Sequence, residues 1–305
     1  MDLATQIRVD EAVTLVFGLI TLSIAALWIP REGIPWIPKR MQTWSILLAG
    51  ALTLAYLLGF IQSRATIPIL IFFLACFLYT KTNWDPSLPK VMSLFILLLS
   101  FGLIAHRVQG FSNPLFIINW IIKEDAAPYT RSLNLDKPLV AIFILGFTHR
   151  LLSTQKEWVA MLKFTLPITL VLALSVTALS WKLGMIRYEF KLTFHYLVWA
   201  WSYLFFTCMA EEALFRGFIQ KHLMRFYAPA RNGHWLALIY SSIIFGLAHY
   251  QGSTEQVIIL CLAGLGYGWI YLRTKSIEAC ILSHFLLNSF HFIFFTYPAL
   301  SASGL

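Results

Sequence analysis

The chain has 305 residues, of which 59% are hydrophobic, 16% aromatic and only 12% charged, with a mean hydropathy of +0.72. That leaves too little polar surface for a water-soluble domain, so the composition reads as an all-α polytopic transmembrane helical bundle. The formal net charge of +9 does not call for a nucleic-acid partner, because the basic residues sit in loops beside apolar stretches, as in Arg31, Lys39 and Arg40, or Lys221, Arg225 and Arg231. That placement suits topogenic and lipid-facing roles.

At the N-terminus, Arg8 is followed by Asp10, Glu11 and an apolar run without a small-residue cleavage site, which reads as an anchor and not as a signal peptide. Apolar segments recur near residues 11–29, 44–62, 66–80, 90–106, 161–181, 193–219, 235–249, 256–272 and 277–296. Their lengths approach the ~20 residues that cross a hydrocarbon core, giving about eight to nine spans. Residues 1–106 form a set of N-terminal spans. Residues 107–137 form a polar connection within which Pro114 to Ile122 is expected to lie at the membrane interface. Pro138 to Phe147 is too short for an ordinary span, which leaves a half-span, a re-entrant turn and a buried helix open. A core over residues 138–296 and a short tail over 297–305 complete the division. Cys76, Cys208, Cys261 and Cys280 all fall in apolar segments without CxxC spacing, as buried reduced thiols do.

The informative residues lie late in the chain. Glu211 and Glu212 are adjacent in a stretch that should cross the bilayer, with Arg216 four residues after Glu212. Ionisable groups at membrane depth are costly and need a reason. Glu212 and Arg216 can pair along one helix face, whereas Glu211 is rotated about 100° away and has no local partner. Two further segments carry polar groups in apolar surroundings: Phe245 to His249, and His284 with Asn288 on one face, extended by His291. Counted from the basic loop 221–234 and the basic turn 273–275 at about 1.5 Å per residue, Glu211 lies roughly 15 to 21 Å deep, His249 roughly 21 Å and His284 roughly 14 to 16 Å. Similar depths on three helices predict a polar cavity within the C-terminal bundle, biased toward the basic side, which the positive-inside rule makes cytoplasmic. Lys182, Arg187 and Lys191 fall on the opposite side.

A carboxylate, two imidazoles and a carboxamide suffice to hydrolyse an amide with water. Glu211 is the candidate general base, with His249 sharing the water. His284 and Asn288 are the candidate oxyanion donors. Glu212 and Arg216 would brace the site helix, and Phe245 would shape the cavity wall. Gly264 and Gly268 form a GxxxG that suits close helix packing. Trp199, Trp201 and Tyr203 suit lipid contact or core packing, and His195 an interfacial position. His291 is the one additional candidate near the site.

Glu-Glu-x-x-x-Arg at 211–216, Phe-x-x-x-His at 245–249 and His-x-x-x-Asn at 284–288, in that order, resemble the CPBP family. That family includes the Rce1-like type II CAAX prenyl endopeptidases and the bacteriocin-processing and immunity (Abi) proteins. The resemblance covers about residues 130 to 296, with Asn134 to Pro138 similar to the stretch leading into the family's core. It implies an intramembrane endopeptidase of the glutamate type, in which the residues matching Glu211 and His249 activate water and those matching His284 and Asn288 line the oxyanion site. It also implies, as substrate, a peptide or C-terminal segment of a membrane-associated protein, in a multi-pass protein of the cell membrane. Prenyl recognition is not written in the chain.

No cofactor is expected. The closest alternative is a zinc enzyme using Glu211, His249 and His284 as ligands, although no HExxH places two ligands on one helix. A non-catalytic immunity or scaffold protein would keep the motifs for structure and bind a partner. A proton-relaying transporter is disfavoured because no paired broken spans are seen.

Overall fold

The computed structural model describes residues 10–29, 42–81, 87–122 and 125–301; Arg8, Arg31, Lys39 and Arg40 lie outside them. Among the described residues the fold is helical, with one β-hairpin. Helix α1 (Glu11–Ala25) begins at Asp10, whose side chain accepts from the Val13 amide at 2.7 Å, satisfying one of the first-turn N–H groups that a helix leaves unpaired. A 3₁₀ turn, Ala26–Trp28, extends it. Helices α2 (Thr43–Leu57), α3 (Ser63–Tyr79) and α4 (Leu88–Ile104) follow as short apolar helices.

The segment expected at the interface contains a strand. β1 (Leu115–Trp120) pairs antiparallel with β2 (Tyr129–Ser132), in the register Leu115 to Ser132 and Trp120 to Tyr129. Its apolar side chains have neighbours to bury against: Phe116 meets Trp201, and Trp120 meets His195 and Phe292. This hairpin is the departure from a wholly helical fold. The ambiguous Pro138 to Phe147 stretch is resolved as a buried helix, α5 (Asp136–Thr148), in which every residue from Pro138 to Leu145 is buried. An element apolar on all sides belongs in the centre of a bundle, and α5 packs against α1, α3, α4 and the segment carrying Glu211.

Helix α6 (Gln155–Lys182) starts with a reciprocal capping box between Thr154 and Glu157. The helix carrying the Glu pair is composite. It comprises α7 (His195–Tyr203), a π-helical stretch Leu204–Cys208, α8 (Met209–Glu212), a second π-helical stretch Ala213–Gln220 and α9 (Lys221–Phe226). Helices α10 (Gly233–Leu247), α11 (Thr254–Thr274) and α12 (Ile277–Phe294) complete the bundle. Ser253 and Ser276 cap the last two, and Lys275 ends α11 in the left-handed conformation at φ 55°.

Four helices among the described residues are long and apolar enough to cross a membrane: Glu11–Trp28, Gln155–Lys182, Thr254–Thr274 and Ile277–Phe294. Side-chain contacts define two ends of the bundle. At one end Lys221 Nζ donates to the Thr148 carbonyl at 3.1 Å, Arg225 donates to the Tyr79 hydroxyl at 3.1 Å, and Trp28 Nε1 donates to Glu278 at 3.2 Å. At the other, the 60–62 turn pairs with 110–112, His106 meets Asp136 at 2.6 Å, and residues 187–191 bond to 293–296. The larger of two buried apolar clusters runs from Val13 to Tyr297, so the N-terminal helices share a core with the segment carrying Glu211.

Candidate active site

Glu211 and Glu212 lie on α8, the short α-helical piece between the two π-helical stretches. In a π-helix the backbone bonds skip one residue further than in an α-helix, and such segments concentrate at functional sites. Both carboxylates are buried, at 5% and 0% exposure, and they point to different partners.

Glu211 has two cationic or basic neighbours. Its Oε1 lies 3.9 Å from Lys137 Nζ and its Oε2 lies 3.9 Å from His249 Nε2. His249 Nδ1 sits 2.9 Å from the Phe245 carbonyl, an oxygen that can only accept, so Nδ1 carries the proton and Nε2 is the nitrogen presented to Glu211. A gap of 3.9 Å exceeds a direct hydrogen bond and is of the size that one water bridges.

Glu212 is the structural hub. Arg216 approaches it at 3.3 Å through both Nε and Nη1, and His284 Nδ1 lies 2.8 Å from its Oε1. Arg216 is fully buried, donates through Nη2 to the Gly264 carbonyl at 3.0 Å, and stands 4.4 Å over the Phe245 ring and 5.3 Å over that of Tyr267. A buried guanidinium is tolerable only with its charge paired; here Nη1 and Nη2 are hydrogen-bonded, while Nε stands at ion-pair distance from Glu212 without a hydrogen bond. One helical step on, Gln220 Nε2 donates to the Gly268 carbonyl at 2.8 Å. The GxxxG of α11 thus offers two carbonyls to an Arg and a Gln four residues apart. A Cβ on Gly264 would come within 3.2 Å of the Phe245 ring, and one on Gly268 within 2.5 Å of Leu238.

His284 stacks on Tyr267 with 4.9 Å between ring centroids and 14° between planes. Its Nδ1 is committed to Glu212, so an Nε2–H donor requires the doubly protonated ring. One helical turn on, Asn288 Nδ2 donates to the His284 carbonyl at 3.0 Å while its Oδ1 accepts from Tyr203 at 3.4 Å. An amide nitrogen has two N–H donors, and this bond uses one. Phe245 ties the halves together, lying edge-on to both His249 and His284 at 5.2 and 5.9 Å.

The structure therefore brings Glu211 to His249 and, separately, Glu212 to His284. His284 belongs to the second carboxylate, and among the described residues no group of three His, Cys, Asp or Glu is placed to hold a metal ion. His291 turns elsewhere, 3.1 Å from the Thr296 carbonyl and against the Tyr297 ring. His195 rests on Trp120, and Trp199 is fully buried with Nε1 donating to the Tyr297 hydroxyl at 3.0 Å. The cysteines are free; Cys76, Cys208 and Cys280 are buried and Cys261 is half-buried.

His249 lies just past the helix expected to carry it. Helix α10 stops at Leu247, so His249 occupies the turn after it, with a side chain 32% exposed. Three further residues stand at the site without a role expected from sequence: Lys137, Tyr267 and Tyr203, the last expected only in lipid contact or core packing. Only Lys137 carries a signal in sequence, as a lone cation directly before an apolar run. Its position follows from α5, whose first turn is held by Asp136 bonded to His106 and by Asn113 accepting from the Leu135 amide at 3.0 Å.

No curated protein and no solved structure matches the chain. Residues 193–290, about a third of the chain, match the family model for type II CAAX prenyl endopeptidase Rce1-like proteins. This segment holds the Glu211/Glu212 pair, Arg216, His249, His284 and Asn288, so the chain carries an Rce1-like domain of the CAAX protease type.

Proposed function

We propose that the protein is a glutamate-type intramembrane endopeptidase that hydrolyses a peptide bond in a membrane-associated protein or peptide. One observation carries the reading: the buried Glu211 carboxylate faces the Nε2 of an imidazole whose other nitrogen is fixed, across a 3.9 Å gap. A water held there would lose a proton to Glu211 as its oxygen attacks the scissile carbonyl. His249 steers that water, and the carboxylic acid so formed returns the proton to the departing amine. Asn288, through its second N–H, supplies a hydrogen bond to the oxyanion that develops on the carbonyl, and His284 lines the same oxyanion site. Glu212 and Arg216 hold α8 against α11 and keep His284 in place. Phe245 spaces the two halves.

The working unit is residues 138–296, set within a multi-pass protein of the cell membrane. The shorter apolar helices α2, α3, α4 and α10 and the composite helix 195–226 join the four long spans as crossings, and α5, enclosed among them, carries the chain from the hairpin end back to the Lys221 end. Lipid and the membrane-bound substrate are its partners, and the reaction uses no cofactor.

The test is cleavage of a membrane-tethered peptide library by the full-length protein in detergent or proteoliposomes. Glu211→Gln is expected to lower the rate by roughly 10² to 10⁴-fold, the range of a lost general base, at unchanged protein level. Full activity in that variant rejects the assignment. Activity that is lost on chelation and restored by zinc replaces the mechanism with a metal-dependent one.

A further inference from the structure

The position of His249 at the end of α10, and not inside it, bears on which side of the membrane the site opens. From Gly233 the chain runs through α10 away from the Lys221 to Arg231 loop, and the turn carrying His249 is therefore at the far end, with the β-hairpin and the 182–195 segment. Helix α5 gives the same direction independently. Its C-terminal Thr148 is bonded to Lys221, while Lys137, the neighbour of Glu211, is in its first turn next to the hairpin.

Between Glu211 and the Lys221 end the bundle is closed by buried apolar side chains. Leu214, Phe215 and Phe218 follow on the same helix at 0%, 1% and 3% exposure, and α5 adds Ile142 and Ile144 at 0%. Toward the far end exposure rises: the side chain of Lys137 is 16% exposed and that of His249 is 32% exposed.

Charge orients the bundle in the membrane. In the loops and terminal turns at the Lys221 end, seven Lys and Arg among the described residues are exposed, including Arg225, Arg231, Arg273 and Lys275. At the far end four are exposed; one at each end is paired, Arg150 with Glu157 at 2.7 Å and Arg187 with Asp125 at 3.3 Å. Arg131 and Lys191 at that end are folded into the protein, on Thr207 and on the Phe295 carbonyl. Exposed Lys and Arg beside spans mark the cytoplasmic side.

We infer that the Glu211/His249 site opens toward the non-cytoplasmic face, so that its substrates are peptide segments presented at the outer surface or in the outer leaflet. Depths counted from the basic side alone favour a cytoplasmic bias; the packing of α5 and of Leu214, Phe215 and Phe218 beneath Glu211 argues for the opposite opening. The substrate statement rests on the protease reading, whereas the direction of opening does not.

Single cysteines at Gln251 and Ala228, both exposed, report the two ends, and His249→Cys reports the site. The variants are made in the full chain and treated in intact cells with a membrane-impermeant maleimide, with the native chain as the blank for its own four cysteines. Q251C and H249C are expected to label in intact cells and A228C only after permeabilisation. Labelling of A228C with protection of Q251C overturns the orientation. An H249C that reacts only after permeabilisation, or not at all, overturns the opening. Failure of the protease reading shows separately, as cleavage that survives Glu211→Gln.

Discussion

Two neighbouring glutamates in one buried turn hold opposite positions in this molecule, and their partners account for it. Glu212 is enclosed by Arg216 and His284, a set in which each charge is answered. Removing one member of a buried ion pair leaves the other uncompensated, at a cost of about 3–5 kcal/mol. Glu212→Gln is therefore expected to lower the melting temperature in detergent sharply, and the double variant with Arg216→Met to recover much of that loss. A Glu212→Gln protein as stable as the parent would contradict the hub assignment. Glu211 has a different requirement, because its neighbours stand back at 3.9 Å on two sides. Lys137→Met should leave folding intact and lower kcat on the order of tenfold, about 1.4 kcal/mol of barrier, with KM little changed and partial rescue by Lys137→Arg. An unchanged kcat would show that the ammonium does not position the carboxylate. The Glu212 to Arg216 pairing was legible in sequence because i,i+4 spacing is local. The bond from His284 to Glu212 was not, since it joins positions 72 apart in the chain.

The elements succeed or fail on periodicity and length. Helix α5 was ambiguous because an unbroken apolar run has no face, and only the surrounding helices decide whether it spans or is enclosed. Strand β1 has the same ambiguity: the run 114–122, apolar or aromatic except at Asn119, has no fixed secondary structure of its own until β2 supplies hydrogen-bond partners. The π-helical stretches had no sequence signal at all. Close packing of α11 on the composite helix was foreshadowed by its glycines, and it sets a strict limit on side-chain volume. Gly264→Val would force branched atoms into the Phe245 ring and the Arg216 guanidinium, costing about 1–3 kcal/mol as overpacking. The expected result is lower thermal stability, read by melting in detergent, together with lower activity; a variant with unaltered melting would show that the interface has slack.

Across the whole molecule, Glu278 fastens two distant parts of the chain to the start of α12. It accepts from Trp28 Nε1 at 3.2 Å, from the Leu152 amide at 2.6 Å and from the Ser276 hydroxyl at 2.8 Å. Glu278→Ala strands these donors, each unsatisfied buried group costing about 1–3 kcal/mol, so a lowered melting temperature and easier proteolysis near residue 152 are expected. Unchanged melting would mean that water replaces the carboxylate at no cost. Composition and the spacing of apolar runs were enough to establish a helical membrane protein, because the hydrocarbon core imposes one length and one polarity on every crossing. Three short motifs were enough to mark the polar residues of an Rce1-like domain. Which histidine meets which glutamate, that Lys137 stands beside Glu211, and toward which end His249 looks all depend on how helices distant in sequence rotate and stop against one another. No local pattern encodes those contacts, because they are set by packing the whole bundle around α5.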